Sequence, residues 1–175
     1  THYRSPTHGR THRSAPTHPM RLHLLTIGNK MPTWVNEAYQ DYAKRLPPDC
    51  SLTLHELPAA PRTKVYDAQK AMVWEAEKIL DKVPQGAHII ALDERGTSWR
   101  STALAEQFSR WRDVGADVYL VIGGTDGLAP AVKTRAQQLW CVSPLTLPHG
   151  MMRVVVAEAL YRAWSITAKH PYHRA

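Results

Sequence analysis

The chain closes on His170-Pro171-Tyr172-His173-Arg174-Ala175, which sets two imidazoles, a phenol and a guanidinium within six residues. Chain ends usually fray and carry little, so this concentration of proton-transfer and stacking groups points to work at a site. His170 and His173 have HxxH spacing, but no third ligand accompanies them, and no metal is expected. Three other stretches could face a ligand: "LDERG" (92–96), "IGGTDG" (122–127) and "VSPLTLPHG" (142–150). Glycines let backbone approach a ligand closely and take positive φ. As a dinucleotide fingerprint "IGGTDG" fails, because the GxGxxG spacing and the acid about twenty residues further on are both missing. "VSPLTLPHG" is apolar with a proline near each end. It is preset in shape and offers backbone amides and carbonyls rather than charges, which suits a neutral adenine and ribose better than a triphosphate. Neither a P-loop nor GxSxG occurs.

The elements that must position these segments alternate. "RLHLLTIG" predicts a strand closed by Gly28. "PTWVNEAYQDYAKRL" predicts a helix through Val35, Ala38, Tyr42 and Leu46 that stops at Pro47-Pro48. "SLTLHEL" reads as a strand, and Val65, Met72, Ala76, Ile79 and Val83 mark a helix on the 3.6 period. "HIIAL" is a buried strand, Leu104, Phe108 and Trp111 line the next helix, and "DVYLVIGG" runs as a strand into a glycine turn. A helix over about Pro130–Leu139 and a short strand "WCVS" follow. The last helix, roughly Met151–Lys169, is expected to bury Met152, Val155, Ala159, Ala163 and Ile166. Strand–helix alternation throughout means an α/β domain with a largely parallel sheet. In such sheets ligands bind beyond the C-terminal ends of the strands, where all three candidate segments fall.

The 175 residues, 43% of them hydrophobic, suit one domain with a real core. No apolar run is long enough for a bilayer, so no membrane partner is expected. Cys50 and Cys141 match no metal or disulfide spacing and read as free thiols in a reducing, cytoplasmic setting. Residues 1–19 carry three arginines, four Thr-His pairs and three prolines without hydrophobic periodicity, and read as a disordered leader ahead of a functional start at Met20. The net charge of +7 is uneven: residues 127–175 hold Lys133, Arg135, Arg153, Arg162, Lys169 and Arg174 against Glu158 alone. A polyanion such as nucleic acid, or a solvated basic helix face, accounts equally for that excess.

Together "IGGTDGL", "LTLPHGMMRVVVAEALYRAWSI" and the terminal "HPYHR" resemble the RlmH family within the SPOUT class of RNA methyltransferases, over about Met20 to Ala175. The resemblance implies a SPOUT-type α/β fold with a C-terminal trefoil knot and a homodimer. It further implies methylation of N3 of a pseudouridine in the helix 69 loop of 23S rRNA, within the assembled 50S subunit or 70S ribosome. Carried over by position, S-adenosylmethionine would lie on Leu92, Gly123, Gly124 and the run Val142, Ser143, Pro144, Leu145, Thr146, Leu147. In this family one subunit's tail meets the other's cofactor pocket, which would make "HPYHRA" active-site material.

For that chemistry His149, Glu158 and His173 are the candidate bases, and the choice among them stays open. Tyr172 could stack on a flipped-out base, and Arg153 or Arg174 could hold phosphate or a developing oxyanion. Arg153, Arg162, Lys169 and Arg174 form the expected RNA-contacting set. Each has a plainer reading. Glu158 and Arg162 sit at i, i+4 in the favourable order for a helix-surface pair; His149 could bond only loop backbone; Tyr172 could simply pack the tail; Arg153 could serve a dimer salt bridge. A non-catalytic RNA-binding protein would not need the proline-framed loop. A nicotinamide oxidoreductase would need the missing fingerprint.

Overall fold

The computed structural model describes residues 19–61, 63 and 67–174; the leader reading and Val65 lie outside them. In chain order the elements are β1 (Met20–Ile27), α1 (Thr33–Ala43), β2 (Cys50–Leu57), α2 (Ala68–Lys82), β3 (His88–Ser98) and α3 (Ser101–Val114). β4 (Val118–Ile122), α4 (Pro130–Arg135), β5 (Gln138–Cys141), α5 (His149–Thr167) and a 3₁₀ turn (Pro171–Arg174) complete them. The five strands form one sheet in the order β2-β1-β4-β3-β5, and every pairing is parallel.

Both faces are covered, which is why the strands read as nearly continuous apolar runs rather than alternating ones. Leu22, Leu24, Val118 and Leu120 face α1, α3 and α5 on one side. Leu25, Ile27, Tyr119 and Val121 face α2 and α4 on the other. The two leftward crossings, β1 to β2 and β3 to β4, carry helices on the first face, and the two rightward crossings carry theirs on the second. A single crossover hand requires that arrangement.

Several expected boundaries shift for local reasons. α1 ends at Ala43 rather than near Leu46, since the residue before Pro47 is driven out of the helical region; Leu46 still reaches the core from the turn. Its buried side chains are Val35 and Tyr39, not Ala38 and Tyr42. α2 starts where the Asp67 carboxylate accepts from the backbone N–H groups of Gln69 and Lys70. α4 stops at Arg135 because the next residues are drawn to the sheet: Gln137 N–H donates to Ile89 O at 2.9 Å, and the Ile89 N–H donates to Gln137 Oε1 at 2.6 Å. β5 therefore runs Gln138–Cys141 instead of Trp140–Ser143. β3 continues past Leu92 through a bulge before Thr97. Gly96 makes this feasible, as a Cβ there would sit 2.6 Å from the Leu139 carbonyl carbon.

The largest difference is the facing of α5. Its buried residues are Arg153, Val156, Ala157, Leu160, Tyr161, Ala163 and Ser165. Of the expected stripe only Ala163 is among them; Met152, Val155, Ala159 and Ile166 are half-buried. A helix that is apolar nearly all round has no dominant face for periodicity to detect.

Candidate functional site

Register brings the expected cofactor residues together. Ala91 is aligned with Val121 and Leu92 with Trp140. Leu92, Gly123 and Val142 therefore stand within about two residues of one another along the C-terminal edge of the sheet, where open α/β folds bind ligands. The segment 142–147 leaves that edge with Ser143 Oγ accepting the Leu145 N–H at 3.0 Å. This turn presents Leu145 at 72% exposure, an apolar side chain left largely open among the described residues.

The glycines of this edge are packed against the chain's own atoms. Gly124 and Gly127 close a tight turn, with a hydrogen bond from Gly127 N to Gly124 O at 3.0 Å and Gly127 at φ +86°. A Cβ on Gly123 would lie 2.7 Å from Gly127 backbone, and one on Gly124 would lie 2.6 Å from Glu75 Oε1. Both glycines thus make room for this chain's own atoms. Glu75 is a buried carboxylate on α2, pushed above its ordinary range by burial and by Asp126 nearby.

The start of α5 is held by Arg153. Expected to meet RNA, it has no solvent exposure: Nη1 donates to Glu56 Oε2 at 2.8 Å and Nη2 to the Gly28 carbonyl at 2.6 Å. A guanidinium enclosed in this way cannot reach a phosphate, so Arg153 is an internal strut and leaves the RNA-contacting set. His149 sits one turn earlier on α5, half-buried, with its imidazole held below the usual range first by burial and then by the Arg153 charge.

The tail folds back on α5. Arg162 and Glu158 form the helix-surface pair, at 2.7 Å from Nη2 and 2.9 Å from Nε to Oε1. Tyr172 donates its hydroxyl to the same Glu158 oxygen at 3.0 Å, while the Arg162 guanidinium lies 5.0 Å from its ring centre and Tyr161 packs edge-on at 4.6 Å. The turn into the tail is a Schellman cap: His170 N–H donates to Ser165 O at 2.8 Å and Lys169 N–H to Ile166 O at 3.3 Å. Lys169 occupies the left-handed position at φ 56°, where glycine is usual. His173 is half-buried, and Lys169 and Arg174 are exposed.

Residues 20–173 match the family described as "Predicted SPOUT methyltransferase". The chain belongs to the SPOUT methyltransferase family. It is 49% identical, over 156 residues, to proteins of Burkholderia mallei (strain SAVP1) and Burkholderia pseudomallei (strain K96243) named "Ribosomal RNA large subunit methyltransferase H"; the match covers 89% of this chain and 100% of each relative. Among solved structures, "a probable methylase family protein" from Haemophilus influenzae Rd KW20 is similar at TM-score 0.51 and 15% identity, over 89% of this chain and 71% of that one. That likeness concerns the fold alone, and it agrees with the parallel α/β architecture expected from the resemblance.

In this SPOUT methyltransferase chain the edge holding Leu92, Gly123 and Val142–Leu147 is an open shelf. A concavity of about 280 Å³ lies elsewhere, on the outer face of α2 among Lys70, Val73 and Trp74. Sequence reasoning missed Glu56 and Glu75. Each carried a signal: Glu56 falls at the apolar parity of "SLTLHEL", and Glu75 lies four residues from both Ala71 and Ile79 on the buried stripe of α2.

Proposed function

We propose that this chain transfers the methyl group of S-adenosylmethionine to N3 of a pseudouridine in the helix 69 loop of 23S ribosomal RNA, as a cytoplasmic homodimer acting on the 50S subunit or 70S ribosome. The observation that carries the reading is the 49% identity along the full length of relatives named for large-subunit rRNA methylation. Among the described residues no helix is long and apolar enough to cross a membrane.

The shelf fits the donor. Leu92, Val142 and the exposed Leu145 offer apolar surface for an adenine, and the backbone of Val142–Leu147 offers neutral hydrogen-bonding groups, with Gly123 and Gly124 at its border. S-adenosylmethionine, when bound, supplies a methyl already activated on a sulfonium. The protein's part is alignment, which can supply roughly 7–11 kcal/mol, and uptake of the N3 proton, worth about 10²–10⁴-fold. Of the three candidate bases, Glu158 is engaged by Arg162 and Tyr172, whereas His149 is a half-buried imidazole favoured in its neutral form. This reading therefore takes His149 over Glu158 as the proton acceptor, with His173 of the tail the remaining candidate. Arg162 is committed to Glu158, which leaves Lys169 and Arg174 as exposed cations for phosphate.

A homodimer would cover what one copy leaves open among the described residues: Met151 is 38% exposed, Leu145 is exposed on the shelf, and Met152, Val155, Ala159 and Ile166 are half-buried. The tail of one subunit would supply His173 and Arg174 to the partner's shelf, and the knot implied by the resemblance belongs to the same reading. Mass mapping of 23S rRNA from a deletion strain tests the proposal. One pseudouridine in helix 69 should lack a methyl and regain it when the chain is restored; an unchanged map would sink it. Thermal shift with S-adenosylmethionine beside NADH should stabilise with the first alone. Deleting Pro171–Ala175 should leave that shift nearly intact and abolish transfer.

A further inference from the structure

We propose that Arg153 is a positioning residue for methyl transfer: clamped between Glu56 and the Gly28 carbonyl, it fixes the first turns of α5 and keeps the His149 imidazole ready to accept a proton. This deepens the reading above and rests on its assignment of His149.

The geometry begins with the strands. Thr26 and Glu56 are direct partners in the β1–β2 register, so both side chains rise from the same face of the sheet. That face is the one covered by α1 and α5, and Glu56 meets Arg153 there. The same guanidinium takes the carbonyl of Gly28, two residues after Thr26. Packing at this junction is close: a Cβ on Gly150, beside His149, would lie 3.0 Å from Val35 Cγ2 of α1. The fork of Arg153 therefore ties α5 to the ends of β1 and β2 at the point where the segment 142–148 enters the helix.

The junction also holds polar atoms that no described residue satisfies. Among the described residues Arg153 Nε, Tyr39 Oη, Thr26 Oγ1 and His149 Nε2 are buried without a hydrogen-bond partner. Arg153, Thr26 and Tyr39 are at most 2% exposed. Buried polar groups in folded proteins are almost always paired with protein or ordered water, so four such atoms at one junction mark a polar place between α1, α5 and the sheet. A guanidinium offers donors only, so beside it an imidazole nitrogen is favoured as an acceptor and disfavoured as a second cation.

The charges around the ring are few. Arg153 comes from its own helix, Tyr39 from α1 and Glu56 from β2, while 142–148 contains no ionisable side chain. On α3, the other helix against α5, Glu106, Arg110 and Asp113 are exposed, and Arg112 acts on Cys50 at the opposite end of β2. Arg153 is thus the charge that bears on His149, in agreement with the lowered proton affinity of its imidazole, to which burial contributes most.

Two variants with opposite expected signs test the assignment. Arg153→Met removes the cation, and His149 should take up its proton at a higher pH. Glu56→Gln removes the anion that offsets Arg153 while its amide oxygen can still accept the Nη1 hydrogen bond, and should move the same titration downward. His149 is followed by NMR of isotope-labelled imidazoles, assigned by loss of the signal in His149→Asn, and the acid limb of kcat is measured on ribosomes from a deletion strain. Matching shifts in titration and rate profile, with KM for S-adenosylmethionine little changed, support the proposal. A His149 titration unmoved in folded Glu56→Gln overturns it, as does a moved titration with an unmoved rate profile. An unmodified chain that transfers no methyl instead sinks the functional reading, and the NMR titration still decides whether Arg153 governs the ring.

Discussion

Two Arg–Glu pairs hold the two ends of α5, and they differ in kind. Arg153–Glu56 joins residues far apart in sequence, with the arginine wholly buried and a second hydrogen bond to a backbone carbonyl. Arg162–Glu158 is an i, i+4 pair on one helix, with the two side chains 22% and 26% exposed. Their lengths are nearly equal, at 2.8 Å and 2.7 Å. Distance does not distinguish them; solvent does. A buried ion must keep its partner, because the lone charge left behind has no water to replace it. A half-exposed pair gives back most of its attraction to water and salt. The first pair therefore holds the fold together at the shelf, and the second adjusts where the tail lies.

The strongest way to break the contrast is to remove one arginine at a time. Arg153→Met should destabilise the chain by about 3 kcal/mol, the low end for an orphaned buried pair because Glu56 keeps some water contact. Arg162→Met should cost under about 1 kcal/mol. Denaturant unfolding of both variants measures this directly, and equal losses would erase the distinction.

Acid should act on the buried end first. His149 is held below the ordinary imidazole range by burial and then Arg153. His55 is held there by burial, His23 and Lys82, and it is hydrogen-bonded to His23 at 2.8 Å. With folded values depressed, the unfolded chain binds more protons as pH falls through about 6.5, so stability present above that pH is lost below it. The melting temperature should drop between pH 7.5 and 5.5, and His55→Gln or His149→Asn should flatten that slope. A steeper slope in either variant would contradict the sign.

At the tail the effects are smaller. Lys169→Gly should stabilise by about 0.5 kcal/mol, since relief of a left-handed non-glycine residue exceeds the added freedom of glycine in the unfolded chain. Glu158→Gln should change stability least, by under about 0.5 kcal/mol, because Tyr172 keeps an acceptor. Its loss of the Arg162 pair should show as faster proteolysis of the tail. Protection unchanged from the parent chain would mean the aromatic packing of Tyr161 on Tyr172 suffices alone.

Local signals carried much of this protein. Apolar runs such as "DVYLVIGG" need burial on both faces, so the order of strands and helices and the parallel sheet followed from pattern alone. The i, i+4 spacing of Glu158 and Arg162 likewise made their pairing one of two readings, because three or four residues along a helix is one face. What periodicity could not decide is which side of α5 turns inward: "RVVVAEALYRAWSI" is apolar around most of its circumference, and only the shapes of α1, α3 and the sheet select Val156, Ala157 and Leu160 over Val155 and Ala159. Nor could spacing match Arg153 to Glu56. Each is a charge at an apolar position, a sign that some partner exists, but 97 residues separate them. The partner is named only when β1 and β2 pair in register and α5 is laid across their ends, since a buried charge is satisfied by whatever the folded chain brings within 3 Å.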